Sequence, residues 1–183
     1  MLNRIIGYQF DGFSIRLFFI MSGAGMLALL IWMGLKRIFS HQRFSMRRYL
    51  IRSLIWMYVC LLFQTTFYGR DSTGSKISKD LDFGSLTEGY LGLQQFVYSV
   101  LNTLMFVPWG MLIYLERKKC RFFEDMFKVF LNSFLFSLLI ETVQLVTQTG
   151  YFEVADIILN TAGGVLGAIL VAFFTRKQRK TSA

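Results

Sequence analysis

Residues 157–174 read IILNTAGGVLGAILVAFF, a stretch without charge in which Asn160 and Thr161 are the polar residues. A helix needs about 20 mostly apolar residues to cross a bilayer. Gly163 and Gly167 lie on one face of such a helix, and this spacing lets a neighbouring backbone approach closely within a membrane. The stretch therefore predicts a membrane-spanning helix that packs tightly against another helix.

The composition of the whole chain agrees with a membrane protein. Of the 183 residues 54% are hydrophobic, 20 are Phe and one is Pro, and the mean hydropathy is +0.47. A soluble domain of this size could not bury so much apolar surface. We predict an all-α fold, with residues 1–183 forming a single membrane domain of five transmembrane helices. The predicted spans are residues 13–35, 50–68, 96–115, 126–147 and 157–174.

The basic residues predict the orientation of these spans. The net charge is +9, and if the loops alternate sides, fifteen of the 20 Lys and Arg residues fall on one side. Loops rich in Lys and Arg stay in the cytoplasm, which predicts an outside N-terminus, an inside C-terminus and an extracytoplasmic loop over residues 69–95. We expect the cytoplasmic basic loops to contact anionic lipids, so the charge requires no nucleic-acid partner.

The last three spans contain polar side chains that a bilayer disfavours: Asn102 in the third, Glu141 and Gln144 in the fourth, and Asp156 and Asn160 at the start of the fifth. A carboxylate at the centre of a membrane costs on the order of 2 to 3 kcal/mol. At about 1.5 Å per residue, Asn102 and Glu141 lie roughly 9 Å below the outer surface and Asn160 about 6 Å below it. We therefore predict an outer-leaflet polar pocket.

Three sequence blocks in this region occur in a fixed order: NTLMFVPWG at residues 102–110, ETVQ at 141–144 and DIILNTAG at 156–163. Together they resemble the pattern of VanZ-like proteins, over residues 96–174. This resemblance implies a small multi-pass protein of the bacterial cell membrane, in a family named for a protein that confers low-level teicoplanin resistance. Many relatives carry an Arg and an Asp-Asp pair in the last block, whereas residues 150–156 have no Arg and one Asp.

Three kinds of function remain open for the predicted pocket. It could bind the head group of an envelope amphiphile, such as a lipid-linked wall precursor, with Arg70 or Arg16 pairing with phosphate, and so modulate susceptibility to teicoplanin-type glycopeptides. Glu141 and Asp156 could instead be the acid and base of an outer-leaflet enzyme that acts on a lipid phosphate. The chain could also be a non-catalytic subunit of a transporter or another membrane protein. We favour binding of an envelope amphiphile, which involves no catalysis.

Each of these residues also has a structural interpretation. Glu141 could hold the bundle together through a hydrogen bond to Asn102 or Asn160, and Asp156 could be an acid at a helix N-terminus. We assign purely structural roles to four positions: Pro108, Gly110, Gly163 and Gly167.

Neither a metal site nor a cofactor is predicted. The oxygen atoms of the polar residues would suit Ca²⁺ or Mg²⁺, but their spacing does not require a metal. His41 is predicted in a cytoplasmic loop, and Cys60 and Cys120 lie away from the outer layer, which disfavours a hydrolase with a nucleophilic side chain.

The predicted orientation can be tested by labelling cysteines from outside intact cells. In a Cys60→Ala background, we expect an impermeant maleimide to label Asp80→Cys in the extracytoplasmic loop and to label native Cys120 only after the cells are permeabilised. Labelling of Cys120 in intact cells would contradict the prediction.

Overall fold

Five long helices make up nearly all of the chain that the computed structural model describes, which comprises residues 13–40, 45–68, 77–78, 80–81, 89–117 and 122–181. The helices are α1 (Ile15–Ser40), α2 (Met46–Thr66), α3 (Gly89–Glu116), α4 (Phe122–Thr147) and α5 (Val154–Thr181). Two-residue strands, β1 (Ile77–Ser78) and β2 (Phe152–Glu153), lie in the connections. All five helices are long and apolar enough to cross a membrane, which confirms the predicted all-α fold and the number of spans.

Five successive crossings determine which helix ends share a side of the membrane. α1, α3 and α5 begin on the side where α2 and α4 end, which we name the first side. The opposite side, where α1, α3 and α5 end, is the second side. The helix ends at the first side are Ile15, Thr66, Gly89, Thr147 and Val154.

Helix α3 extends beyond the span that hydropathy predicts for it. It begins at Gly89, before the expected edge at residue 96, and continues as one helix through Pro108. Its 28 residues correspond to about 42 Å of helix, more than the roughly 30 Å of a hydrocarbon core. Hydropathy marks only the part of a helix that lies in lipid, so it misses a helical end that extends into the head-group layer.

Helices α3 and α5 pack backbone against backbone. A Cβ atom added at Gly167 would lie 2.0 Å from the Val107 carbonyl oxygen, and one added at Gly163 would lie 2.1 Å from the Thr103 carbonyl oxygen. A side chain at either position would collide with the α3 backbone, which cannot move aside as a flexible side chain can. The two glycines thus bring the α5 backbone directly against α3.

Gly164 lies where α3, α4 and α5 meet. A Cβ atom added at Gly110 of α3 would lie 1.8 Å from the Gly164 carbonyl oxygen, and one added at Gly164 would lie 2.1 Å from Oγ of Ser133 on α4. α5 is consequently packed against both neighbours at this level.

Two apolar clusters fill the space around this contact. Toward the second side, α3, α4 and α5 bury the cluster Tyr114, Val129, Ala168, Val171 and Ala172. A second cluster consists of Phe106, Trp109 and Ile140, and the Trp109 ring stacks on Phe136 with 4.2 Å between centroids. Trp109 is therefore a core residue. Side chains of α2 pack against this second cluster, and the Tyr58 hydroxyl donates a hydrogen bond to the Met105 carbonyl.

Helix α1 packs mainly on α2. The Trp56 indole N–H donates to the Met21 carbonyl at 2.9 Å, and the Tyr49 hydroxyl donates to the Met26 carbonyl at 3.5 Å. A Cβ atom added at Gly25 would lie 1.7 Å from the indole nitrogen, so this glycine makes room for Trp56. Most other side chains of α1 are exposed, as expected of a helix that faces lipid.

The glycine contact predicts a strong dependence of stability on Gly167. We expect Gly167→Ala to lower the free energy of unfolding by about 1–3 kcal/mol, because the added methyl group must push α5 away from α3. The measurement is reversible denaturation of the purified protein in micelles.

Gly34→Ala is the matched control, because no atom lies within 4 Å of a Cβ added there. Alanine favours a helix over glycine by about 0.8–1 kcal/mol, so this variant should be as stable as the wild type or more stable. Equal losses in the two variants would contradict a specific contact at Gly167.

Candidate functional site

A line of buried polar side chains runs along α4 where it packs against α5. Its members are between 0% and 8% exposed and recur at intervals of three or four residues, so they share one helix face. This α4 polar line consists of Ser133, Ser137, Glu141 and Gln144. Glu141 and Gln144 are among the residues predicted from the sequence, whereas the two serines are not. Counting back in steps of four from Glu141 would have found them.

Glu141 connects α4 to the beginning of α5. Its side chain is 2% exposed, and Oε2 accepts a hydrogen bond from the Glu153 backbone amide at 3.0 Å. Glu153 directly precedes α5. The carboxylate of Glu141 therefore lies at a helix N-terminus, where unpaired amides and the helix dipole favour negative charge. The protein thus surrounds the Glu141 side chain with polar groups, which the lipid interior lacks.

Asn160 joins α5 to the α4 polar line. Its Nδ2 donates a hydrogen bond to the Ser137 hydroxyl at 2.9 Å, and both residues are buried. Its Oδ1 is also buried, and no described residue donates a hydrogen bond to it. An unsatisfied buried acceptor costs about 1–3 kcal/mol. Oδ1 is therefore a buried acceptor without a donor among the described residues.

Asp156 and Gln144 lie close to the connection between α4 and α5. Asp156 is half-buried in the first turn of α5, where a negative charge is favourable. The Thr149 amide donates to the Gln144 backbone carbonyl at 3.1 Å, and a Cβ atom added at Gly150 would lie 3.1 Å from Gln144 Nε2. The Gln144 side chain therefore packs beneath this connection.

Asn102 lies near the level of Asn160 but is not bonded to it. It is half-buried on α3, and its neighbour Thr103 contacts Gly163, about one helical turn from Asn160. Its side chain makes no hydrogen bond with any residue in the described part of the chain. The structure thus joins the polar residues of α4 and α5 directly and leaves Asn102 beside them.

Of the two basic residues predicted to pair with phosphate, Arg16 lies within the described residues and Arg70 does not. Arg16 is exposed near the start of α1 and pairs with no acidic side chain in the described ranges. Arg70 lies outside the described residues, as do His41 and Cys120, whereas Cys60 is buried in α2.

Gln64 is a buried polar residue that the sequence analysis missed. It is 1% exposed, and its Oε1 accepts a hydrogen bond from the Ser14 backbone amide at 3.0 Å, directly before α1. Gln64 therefore holds the start of α1 as Glu141 holds the start of α5, on the same side of the membrane. The sequence feature that points to Gln64 is its position beside Thr65 and Thr66, near the end of a predicted span.

The two short strands bring another connection next to Glu141. β1, between α2 and α3, pairs in parallel with β2, so that Ile77 faces Phe152 and Ser78 faces Glu153. Because the Glu153 amide also bonds to Glu141, β1 lies beside the start of α5. No group of three or more His, Cys, Asp or Glu side chains that could hold a metal ion occurs among the described residues.

The family model VanZ/LLP1 matches residues 49–175, well over half of the chain. The chain belongs to the VanZ/LLP1 family. The match begins near the start of α2 and includes Gln64, Glu141 and Asn160, whereas α1 precedes it. It thus reaches further toward the N-terminus than the three sequence blocks do. A comparison with curated proteins and another with solved structures give no match. VanZ/LLP1 membership together with five candidate spans indicates a multi-pass membrane protein linked to glycopeptide resistance.

The hydrogen bond between Ser137 and Asn160 predicts an energetic coupling within this VanZ/LLP1 protein. In a double-mutant cycle of Ser137→Ala and Asn160→Ala, we expect a coupling of about 0.6 kcal/mol, with an upper bound of about 1.7 kcal/mol, as for hydrogen bonds between membrane helices. Reversible unfolding in micelles gives the four free energies.

Thr142→Ala provides the control cycle with Asn160→Ala. Thr142 is exposed on α4, and among the described residues its hydroxyl bonds only within its own helix, to the Leu138 carbonyl. Its coupling to Asn160 should be near zero. Equal couplings in the two cycles would show that the bond between Ser137 and Asn160 contributes nothing specific.

Proposed function

We propose that this VanZ/LLP1 protein binds the polar head group of a bacterial cell-envelope amphiphile, of the class of lipid-linked wall precursors, at the first-side ends of α4 and α5. Binding there would modulate susceptibility to teicoplanin-type glycopeptides. The observation that carries the proposal is the buried carboxylate of Glu141, held beside the start of α5 within the segment that matches the family.

A comparison within the chain supports a function for the charge of Glu141. Gln64 makes an equivalent hydrogen bond to the start of α1 with a neutral amide. A glutamine at position 141 could accept the Glu153 amide in the same way and would avoid most of the cost of burying a charge. The bond to the Glu153 amide by itself therefore does not require a carboxylate. Binding of a ligand that donates hydrogen bonds does favour one, because bonds to a charged acceptor are stronger.

The other groups at this position suit the same class of ligand. Asn160 Oδ1 has no donor among the described residues and lies about one helical turn further into the bundle. The sugars and peptides of wall precursors carry many hydroxyl and amide donors, and their phosphates would suit an arginine such as Arg70 or Arg16. If the first side is the outer side, as the basic loops predict, these groups face the leaflet where glycopeptides act.

Replacement of Glu141 tests the proposal in living cells. A deletion strain is complemented with the wild type, with Glu141→Gln or with Glu124→Gln, an exposed carboxylate on the same helix. We expect Glu141→Gln to leave teicoplanin susceptibility at the level of the deletion strain, because glutamine preserves the tether and removes the charge. Glu124→Gln should behave like the wild type. Wild-type behaviour of Glu141→Gln, at equal protein levels, would overturn the proposal.

Mass spectrometry of lipids that co-purify with the protein separates binding from the cellular phenotype. Loss of a hydrogen bond to a charged group costs about 1.5–3 kcal/mol, so Glu141→Gln should retain a polyprenyl-linked lipid at least about tenfold more weakly than the wild type. Equal retention by both proteins would contradict binding at Glu141. Chemical conversion of the lipid by the purified wild type would instead support the enzyme that the sequence left open.

A further inference from the structure

A second polar cluster lies on the second side, where α1 and α3 end and α2 begins. Trp32 of α1 is 42% exposed, and the Lys36 ammonium lies 4.3 Å from the centroid of its ring. The guanidinium carbon of Arg52, on α2, lies 5.4 Å from the same centroid. Two cations from different helices therefore lie against one exposed indole ring.

Arg52 is held in place by the end of α3. Its Nε and Nη2 donate hydrogen bonds to Glu116 Oε1 at 3.0 Å and 2.8 Å. Arg47 donates to the Leu115 carbonyl at 3.3 Å, where the last carbonyls of a helix lack partners within the helix. Lys36 forms no ion pair with any acidic residue of the described ranges. The cluster thus carries three cations and a single carboxylate.

This excess of positive charge favours an anion at the membrane surface. Glu116 compensates one of the three positive charges, and the other two remain without a compensating anion among the described residues. An exposed tryptophan at a helix end is typical of the layer between lipid and water. Each basic residue near an anionic membrane surface contributes about 1 kcal/mol to attraction. The anion present in this layer is the phosphate of a phospholipid.

We propose that Trp32, Lys36 and Arg52 form a binding site for the head group of an anionic phospholipid in the second-side leaflet. Lys36 and Arg52 contact the phosphate, and the indole of Trp32 packs against the glycerol and the upper acyl chain. Glu116 pairs with Arg52 and competes with the phosphate for it. Trp32 and Lys36 precede the segment that matches the family, so the site depends on α1 as well as α2. It is independent of the ligand proposed for Glu141.

Native mass spectrometry of the full-length protein tests this site, with phosphatidylglycerol and phosphatidylcholine of the same acyl chains as probes. We expect phosphatidylglycerol to bind more tightly than phosphatidylcholine. Lys36→Gln should weaken binding of phosphatidylglycerol about fivefold, the factor that corresponds to one lost surface charge. Glu116→Gln should bind it at least as tightly as the wild type, because the variant removes the competing carboxylate from Arg52.

Lys128→Gln is the matched control. Lys128 is exposed on α4 toward the second side, and the substitution removes the same charge without touching the cluster. Equal weakening by Lys36→Gln and Lys128→Gln would overturn the site, because it would show attraction by net charge alone. Equal affinity for the two phospholipids would also overturn it. Displacement of phosphatidylglycerol by millimolar inorganic phosphate would assign the cluster to free phosphate and overturn the assignment to a lipid.

Discussion

Contact between the backbones of α3 and α5 is the constraint on which the other features of this bundle depend. Gly163 and Gly167 bring α5 against the carbonyls of Thr103 and Val107, and Gly164 brings it against α4. Apolar side chains gain little by leaving lipid for a protein interior, so close packing must hold such helices together. The same packing excludes lipid from the interface between α4 and α5. Only in such a sealed interface can the α4 polar line remain stable.

On the first side, Gln64 and Glu141 each bind the start of a neighbouring helix, and the membrane makes such contacts necessary. The first amides of every helix lack partners within the helix, and little water is available to replace them near the hydrocarbon core. Gln64 provides an acceptor for the start of α1, and Glu141 provides one for the start of α5. Each acceptor comes from the antiparallel neighbour. The proposed function of Glu141 rests on the difference between the Gln64 amide and the Glu141 carboxyl group in these otherwise similar positions.

Much of the fold could be predicted from the sequence, because a bilayer imposes a simple rule on composition. Apolar stretches of sufficient length gave five spans, and the structure contains five helices at those places. Glu141 was noticed because a carboxylate in a span is costly. Ser133 and Ser137 were not, because serine is common in membrane helices and its cost is small. Only the partner helix distinguishes a buried serine from one that faces lipid.

Other parts of the site depend on long-range pairing that local sequence does not encode. The bond between Gln64 and Ser14 joins residues that are 50 positions apart, and the pairing of Ser78 with Glu153 joins two loops. Neither follows from hydropathy or from helical periodicity. Asn102 belongs with these cases, because the rise per residue that predicts its depth does not determine where its side chain points.

The attachment of α1 has a consequence for how this protein evolves. α2 supplies the donors, Trp56 and Tyr49, and α1 supplies main-chain oxygens, which every amino acid possesses. Selection on these contacts therefore acts on α2 and on Gly25, and hardly on the α1 residues that lie outside both these contacts and the proposed site at Trp32 and Lys36. At those other positions of α1, substitutions that keep the helix hydrophobic can accumulate almost neutrally. Orthologues should thus diverge fastest in the rest of α1, and a foreign spanning helix could replace it if it kept the glycine and the Trp32 and Lys36 positions.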